Sequence, residues 1–384
     1  MAKIDFSRKE FANRRERVRE AMRTKGLDWL IAIHPVSIHW LTGSEAKSYQ
    51  EFQCLFLSAD SESVEVLTRE GERNEFAQDA LVDEIRTWGG GRIEDPVEAF
   101  FKVARDLRLM GRRVGMEVPA YYLHPHDYVR IKGVLGCALV AEPTNLIFDL
   151  KMRKSPQELL YIREAVQMAD EAMEVFAGEL SPGRTELELA GEVARALHAA
   201  GSGIAASPIN LVSGPRSAFS HGAPTSRRLE AGDFVNIEFG ATSRRYTATI
   251  GRQFCLGEPT VRMREVYEVV RAASDACLAA MRAGVPARIP HAAAAAIIQS
   301  AGLEHGRVHT SGYGLGPGFP PTWAEPLHML EESSQVLEEN MVVTVEPPVF
   351  LGEEGLGARL IDNVLVTSTG VELLTGFSRD LGIQ

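Results

Sequence analysis

The sequence predicts a two-domain protein of the α/β (α+β) class, with one domain over residues 1–150 and the other over residues 151–384. Three observations support this prediction. The chain of 384 residues is too long for a single small core. Short apolar runs alternate with segments of helical period in the first part. In the second part, a pair of helical segments followed by strand-rich sequence occurs twice.

The first 150 residues alternate between helical and extended patterns. Residues 11–25 have the apolar spacing of a charged amphipathic helix, and residues 97–110 have helical spacing as well. Four short apolar runs predict strands, at residues 29–33, 52–57, 64–68 and 113–117. Strands that alternate with helices predict a layered α/β domain.

The second domain begins with a strong helix signal. Ser155 can cap a helix that has Pro156 at its first position, and we expect this helix over residues 157–180. A Pro/Gly turn and a second helix from Thr185 follow. The same order returns with helices over 263–282 and 291–300, and strand-rich stretches lie at 234–255 and 341–367. This repetition predicts an internally duplicated domain.

The composition argues against several classes of partner. With 41 basic and 52 acidic residues the net charge is −11, which disfavours nucleic acid or an anionic membrane as a partner. The first residues are charged, unlike a signal peptide, and no apolar run has the length of a transmembrane helix. The four cysteines form no CxxC pair, so we expect reduced thiols and a cytoplasmic protein.

Four segments resemble the superfamily of creatinase, prolidase and methionine aminopeptidase. Residues 149–158 resemble the lead-in to the catalytic domain, and residues 230–240 and 246–254 resemble its two metal-ligand strands. Residues 337–347 resemble its Met-Val-x-Thr-x-Glu-Pro strand. The resemblance implies a creatinase-type N-terminal domain followed by a pita-bread domain with an internal pseudo-two-fold duplication.

The metal ligands of this superfamily are incomplete here. Its metallopeptidases hold two cations with two aspartates, a histidine and two glutamates, and the resemblance carries these positions onto Glu238, Thr249, Tyr313, Glu346 and Ile361. Two carboxylates remain, whereas hard dications need several oxygen ligands. The neighbouring Asp362 points to the opposite face of a strand. We therefore expect no metal and no cofactor.

A narrower resemblance links the chain to the metal-independent members. Creatinase relies on a histidine whose position here is His221. Residues 38–43 together with 52–54 resemble a substrate loop of ectoine hydrolases, whereas residues 44–51 differ from it. Residues 238–246 and 311–325 resemble a strand pair and an active-site loop of the same enzymes. This resemblance implies a metal-independent hydrolase that cleaves a C–N bond in a small, zwitterionic amidine- or guanidine-like or cyclic amino-acid derivative. By analogy with creatinase, it also implies a homodimer whose N-terminal domain reaches the partner's site.

Three residues are predicted to be catalytic. Glu238 would attack the electrophilic carbon or deprotonate a water that does so. His221 would protonate the departing nitrogen, because imidazole titrates near neutral pH. Glu346 would neutralise the charge of the substrate or hold the imidazole or the water. Each residue also has a structural alternative, as a strand ion pair or an exposed turn residue.

Six further residues are predicted to bind the substrate: Tyr313, His309, Trp323, Arg252, Arg359 and Phe319. An arginine could clamp a substrate carboxylate with two hydrogen bonds. Tyr313 could donate to an oxyanion or pack in the core, and His309 could line the pocket or cap a strand end. Trp323 and Phe319 could form an aromatic wall over the ligand.

Three other functions remain open. The first is an Xaa-Pro dipeptidase or aminopeptidase, which would require metal. The second is a lyase that acts on a small zwitterion. The third is a binding protein that has kept the pocket and lost catalysis.

Overall fold

The computed structural model describes residues 5–384. The chain divides into two compact units, of which the first ends at Lys151 and the second spans Met152–Gln384. Both units combine helices with a mixed or antiparallel sheet, so the predicted α/β (α+β) class is confirmed.

The first unit is a six-stranded sheet covered by helices on both faces. Its elements are α1 (Arg8–Thr24), β1 (Trp29–Ala32), α2 (Pro35–Thr42), β2 (Cys54–Ser58), β3 (Val64–Arg69), α3 (Arg73–Asp79), β4 (Glu84–Trp88), α4 (Pro96–Asp106), β5 (Val114–Met116), α5 (Pro125–Leu135), β6 (Leu139–Ala141) and α6 (Leu146–Lys151). The strand order is β4-β3-β2-β1-β5-β6. Side chains alternate along β1, so that Ile31 enters one apolar cluster and Leu30 the other.

Helix α2 lies where the sequence indicated only a substrate loop. All eight of its residues are buried, so its sequence has no amphipathic period that would reveal a helix. Its ends carry ordinary signals, because His34 accepts from the backbone of Val36 and Gly43 closes the helix with a φ of 83°. The helix predicted to reach residue 110 ends at Asp106.

The second unit contains a nine-stranded sheet and two helix pairs. Its elements are α7 (Pro156–Glu179), α8 (Glu186–Ala199), β7 (Asn210–Ser213), β8 (Phe234–Ser243), β9 (Tyr246–Cys255), α9 (Val261–Ala280), α10 (Arg288–Ser300), β10 (Tyr313–Phe319), β11 (Thr322–His328), β12 (Val342–Val345), β13 (Val349–Leu351), β14 (Leu356–Ala358), β15 (Asp362–Val366), β16 (Val371–Leu373) and β17 (Gly382–Ile383). The central order is β16-β15-β12-β10-β9-β8-β7, while β13 and β14 form a separate pair.

Each helix pair covers one half of this sheet. Helices α7 and α8 share an apolar cluster with β8 and β9, whereas α9 and α10 share another with β12 and β15. Both members of the first pair begin with a capping box, at Ser155 and at Thr185. This arrangement is the duplicated pita-bread architecture that the sequence predicted.

The β8–β9 hairpin fixes which side chains reach the same face. Its two-residue turn consists of Arg244 and Arg245, whose φ angles of 50° and 68° are typical of a tight hairpin. The resulting register pairs Glu238 with Gly251 and, on the other side of β8, with Asn210. Every residue of both strands is buried, so any carboxylate there has to be accommodated inside the protein.

The segment over residues 311–325 is not a loop. Most of it forms the antiparallel β10–β11 hairpin, which turns at Pro320 and Pro321. Burial alternates along β11, so that Trp323 points inward while Thr322 and Ala324 are partly exposed. No helix within residues 5–384 combines the length and apolar character that a membrane crossing requires.

Candidate functional site

A small cavity of about 30 Å³ lies in the second unit, where the predicted catalytic residues meet. It is lined by His221, Glu238, His309, Tyr313, Glu346, Pro348, Arg359 and Ile361. These residues come from β8, the start of β10 and four connecting segments, one of which follows β12 directly. Six of the nine predicted site residues therefore line one cavity.

Glu238 is oriented by two donors that bind the same oxygen. The side-chain amide of Asn210 donates to its Oε2 at 3.1 Å, and the guanidinium of Arg359 donates to that oxygen as well. The residue is only 6% exposed. Because both donors use Oε2, Oε1 is the oxygen that remains available to a water or a substrate.

Arg359 is already engaged. One of its terminal nitrogens forms the ion pair with Glu238, and the other donates to the backbone oxygen of Ser220. Its guanidinium also lies 5.5 Å from the centre of the Phe350 ring. Arg359 lines the cavity as predicted, but its donors serve the protein, so it is not a free clamp for a substrate carboxylate.

Glu346 is buried without a hydrogen-bond partner. Neither of its carboxylate oxygens is hydrogen-bonded within the described part of the chain. Burial, and then the charge of Glu238, raise the pKa of Glu346 well above its ordinary value. Burial therefore favours the neutral form of this side chain over the carboxylate.

The two histidines stand on the more open side of the cavity. His309 Nδ1 lies 3.2 Å from the backbone oxygen of Thr310, and a carbonyl oxygen can only accept. Nδ1 of the neutral ring therefore carries the proton, and Nε2 is the acceptor. Burial lowers the pKa of His309, which favours this neutral form. The ring of His221 is exposed, and its centre lies 5.6 Å from that of His309.

Tyr313 faces the carboxylates and is held from behind by Trp323. The indole N–H of Trp323 donates to the Tyr313 phenol oxygen at 3.0 Å. Burial first, and then the charges of Glu346 and Glu238, raise the pKa of Tyr313 well above its ordinary value. The phenol therefore keeps its proton and can donate it as a hydrogen bond. Trp323 itself does not line the cavity; an added Cβ on Gly240 would lie 2.6 Å from its ring.

Arg252 and Phe319 do not line this cavity. The guanidinium of Arg252 donates to Asp362 and to the backbone oxygens of Gly251, Ile361, Phe377 and Ser378. The predicted binding role of Arg252 is corrected, because its donors are consumed inside the fold. Phe319 is buried and packs 4.3 Å from the guanidinium of Arg245, so it forms no wall over the cavity.

The residues at the five metal-ligand positions do not fit a two-metal centre. The hydroxyl of Thr249 donates to the backbone of Phe239, and Ile361 packs against Gly251, where an added Cβ would lie 2.6 Å from its side chain. The phenol oxygen of Tyr313 accepts a hydrogen bond from Trp323. The carboxylate of Glu238 is paired with the guanidinium of Arg359. In the region from residue 5 onward, no three acidic, histidine or cysteine side chains form a group that could hold a metal ion.

Sequence reasoning missed two residues of the site. Asn210 orients Glu238, and Pro348 lines the cavity beside Glu346. The strand that carries Asn210 has only four residues and no clear alternation, so its pairing with β8 leaves no local signal. Pro348 follows the Glu-Pro motif and could have been found from its proximity to Glu346.

Two family models match the chain. Residues 161–368 match Metallopeptidase family M24, and residues 14–154 match the Creatinase/Prolidase N-terminal domain. The first match covers more than half of the chain. The chain therefore belongs to the M24 family, and the predicted superfamily is confirmed.

The relatives include Xaa-Pro dipeptidases and uncharacterized peptidases. The Xaa-Pro dipeptidase of Pyrococcus furiosus is 32% identical over 237 residues, which cover 62% of this chain and 67% of that protein. An uncharacterized hydrolase/peptidase of Sinorhizobium fredii, y4tM, is 26% identical over 99% of both chains. Among solved structures, the Xaa-Pro dipeptidase from Bacillus anthracis has a TM-score of 0.86 at 25% identity, over 97% of this chain and 100% of its own.

These relatives overturn the predicted reaction. The expectation of a hydrolase for amidine- or guanidine-like compounds is wrong, because two of the relatives and a solved structure at 25% identity are named Xaa-Pro dipeptidase. The peptidase alternative is the better one. The ectoine hydrolase branch is likewise not supported.

Proposed function

We propose that this chain hydrolyses the peptide C–N bond of a short peptide of the Xaa-Pro type. The observation that carries the proposal is the single cavity in which an oriented carboxylate, a protonated phenol and two imidazoles meet on an M24 scaffold. Its relatives named Xaa-Pro dipeptidase supply the class of substrate. Because Thr249, Tyr313 and Ile361 do not fit two cations, the proposed reaction departs from that of the metal-requiring peptidases and uses side chains alone.

Glu238 activates the attacking water. Its Oε2 is fixed by Asn210 and Arg359, which leaves Oε1 to accept the proton of a water in the cavity. A cavity of about 30 Å³ has room for a water molecule. The water oxygen adds to the carbonyl carbon while its proton passes to Glu238. A positioned general base contributes roughly 10²–10⁴-fold to the rate.

Tyr313 stabilises the oxyanion that this addition forms. Its phenol is protonated, and its oxygen already accepts from Trp323, so the O–H is free to turn toward the cavity. A donor held in place before the reaction costs no reorganisation when the charge develops. Tyr313 thus supplies a hydrogen-bond donor to the oxyanion in this cavity.

The histidines serve the departing nitrogen. When the C–N bond breaks, the leaving amine needs a proton, and Glu238 holds the one taken from the water. His221 is exposed beside the opening, where it can deliver a proton to the leaving group. The neutral His309 ring, with Nε2 as acceptor, can take the proton from Glu238 and pass it to His221.

The proposed function includes the assembly of two chains. We expect a homodimer that acts on a small molecule, as the resemblance to creatinase implies. Light scattering of the purified protein at micromolar concentration should give twice the chain mass of 42.1 kDa. A clean monomer that is fully active would contradict the homodimer and leave the reaction untouched.

The reaction is tested by turnover of defined peptides. We expect release of proline from Ala-Pro, followed by chromatography, with a slower reaction for Ala-Ala. A Glu238→Gln variant should be slower by roughly 10²–10⁴-fold. An exposed Glu353→Gln variant should match the unmodified protein. Stabilisation by Ala-Pro without turnover of any peptide would instead identify a binding protein.

A further inference from the structure

Two buried side-chain amides lie beside Glu238, and the proposed reaction does not use either of them. Asn236 precedes Glu238 by two residues on β8, so the two side chains lie on the same face of the sheet. Gln253 of β9 stands directly opposite Asn236 in the β8–β9 register. Both amides are fully buried. Buried amides need hydrogen-bond partners, and the partners of these two indicate what they hold in place.

Asn236 holds the segment that carries His221. Its side-chain NH₂ group donates to the backbone oxygen of Ser217 at 2.9 Å. Ser217 lies within residues 214–222, which we call the His221 segment. A backbone carbonyl can only accept, so the orientation of the Asn236 amide is fixed. Asn236 therefore determines how the His221 segment lies over β8.

Gln253 holds the segment that carries Arg359. Its side-chain oxygen accepts from the backbone N–H of Arg359 at 3.1 Å, and a backbone N–H can only donate. Arg359 lies within residues 355–361, which we call the Arg359 segment. The guanidinium of the same residue donates to Glu238 and to the backbone oxygen of Ser220. Gln253 therefore fixes the backbone from which Arg359 reaches Glu238.

The two segments are also bonded to each other. The backbone N–H of Gly357 donates to Ser217 Oγ at 3.3 Å, and that hydroxyl donates to the backbone oxygen of Gly355 at 3.4 Å. The remaining amide atoms complement each other, because Asn236 Oδ1 is an acceptor and Gln253 Nε2 is a donor. Neither of these atoms has a partner in the described part of the chain. The two amides and the two segments thus form one connected unit.

We propose that Asn236 and Gln253 are positioning residues, which together hold His221 and Arg359 where hydrolysis by Glu238 requires them. This proposal rests on the proposed function. Neither amide lines the cavity, so neither touches the substrate. Asn236 acts through His221, whereas Gln253 acts through Arg359 on Glu238. A displacement of about 1 Å in such a group can cost about 10²-fold in rate.

Substitution of Gln253 tests the link to Arg359. Gln253→Met keeps the length of the side chain and leaves the backbone N–H of Arg359 without its acceptor. We expect kcat on Ala-Pro to fall at least about 10-fold, with KM unchanged within about 2-fold because the residue does not touch the substrate. Thr375→Val is the matched control, since Thr375 Oγ1 is likewise a buried acceptor, for the backbone N–H of Asn363 at 2.8 Å. Both variants should lower the denaturant midpoint, but only Gln253→Met should lower kcat. Equal kcat values in the two variants would overturn the role of Gln253.

Double substitutions show whether each amide acts through the residue assigned to it. Adding Gln253→Met to Glu238→Gln should leave the residual kcat unchanged within about 2-fold, because the base that Gln253 helps to position is already gone. Asn236→Leu should lower kcat about 10-fold by itself and have no further effect in a His221→Ala background. Should Gln253→Met fail to fold, the second pair carries the test. Losses that multiply in a pair would remove its amide from the proposal.

Hydrogen exchange measured by mass spectrometry separates this proposal from the proposed function. Gln253→Met should speed exchange in the Arg359 segment and Asn236→Leu in the His221 segment, whereas Thr375→Val should leave both as in the unmodified protein. This exchange pattern in a protein that cleaves no peptide would sink the proposed function and keep the hold of the amides on the two segments. Unchanged exchange in both segments would refute that hold, even in a protein that cleaves Ala-Pro.

Discussion

Two buried acids on the same sheet differ in almost every respect except burial. Asp362 opens β15 and pairs with Val345 of β12, and Glu346 is the next residue after Val345. Asp362 accepts from Arg252 on one oxygen and from Arg379 on the other, each at 2.8 Å. Glu346 accepts from nothing in the described chain.

Asp362 is therefore an acid that supports the fold, whereas Glu346 is an acid whose oxygens are available to a ligand. The ion pairs of Asp362 join β15 to β9 and to the C-terminal segment, and each of its oxygens has a donor. Glu346 contributes no such bond, and its burial opposes the charged form. Buried ion pairs are costly to break, whereas an unpaired buried acid is costly to keep.

A bound dication would abolish this difference, so metal content is the first test. Because a threonine, a tyrosine and an isoleucine stand at three of the ligand positions, we expect well under one transition metal per chain in protein purified without chelator. Elemental analysis measures this directly. Stoichiometric metal, together with activity that EDTA abolishes and Mn²⁺ restores, would give Glu346 a partner and refute the comparison.

The largest effect of a single substitution is expected at Glu238. Glu238→Gln keeps the shape of the side chain and removes the base, so kcat should fall by roughly 10²–10⁴-fold on Ala-Pro. Asn210→Ala, which removes one donor to Glu238 and leaves the carboxylate, should lose less. Near-normal turnover by Glu238→Gln would place the chemistry elsewhere in the cavity.

Unfolding free energies should separate the two acids. Asp362→Asn leaves the buried guanidinium of Arg252 without its counter-charge, whereas the partly buried Arg379 keeps Asp275, and we expect a loss of about 3–5 kcal/mol. Glu346→Gln removes an unpaired acid, so its free energy of unfolding should equal or exceed that of the unmodified protein. Denaturant titration of both variants at neutral pH measures the contrast. A similar loss in both would show that Glu346 also supports the fold.

The pH dependence of stability gives a sharper version of that contrast. The pKa of Glu346 is raised in the folded chain, so between its ordinary value and the raised value the folded state holds one proton more than the unfolded state. Stability from this residue is therefore greatest at low pH and falls by about 1.4 kcal/mol per pH unit across that window. The Glu346→Gln variant should lack this slope. Parallel pH profiles for the two proteins would contradict the raised pKa.

The sequence predicted the fold and most of the cavity for different reasons. Helix α7 was predictable because its capping box is local, with Ser155 and Glu158 three residues apart. The convergence of Glu238, Tyr313 and Glu346 was predictable only through resemblance, since they come from two separate strands and from the residue that follows a third. The hydrogen bonds and the protonation of each group depend on partners such as Asn210 and Trp323. Spacing along the chain gives no information about these partners.

The error at Arg252 could have been avoided. A two-residue hairpin turn at Arg244 and Arg245 sets the register of β8 and β9, and it pairs Arg252 with Ile237. Because side chains alternate along a strand, Arg252 then lies on the face opposite to Glu238. That face is where Asp362 binds it.

The smallest predicted effect concerns the hydrogen bond between Trp323 and Tyr313. Trp323→Phe keeps an aromatic ring and removes the indole N–H, so the phenol loses the donor that fixes its oxygen. Trp88 offers a matched control in the first unit, because its indole N–H also makes a buried bond of 3.0 Å, to the backbone oxygen of Phe52. Each substitution should cost about 1 kcal/mol for the lost bond, with an added cost for the smaller ring. Only Trp323→Phe should also lower kcat, by roughly 3- to 10-fold, because Tyr313 is then less well placed for the oxyanion. Steady-state kinetics on Ala-Pro decide the matter: equal kcat values for the two variants would reduce Trp323 to a packing residue and remove Tyr313 from the proposed chemistry.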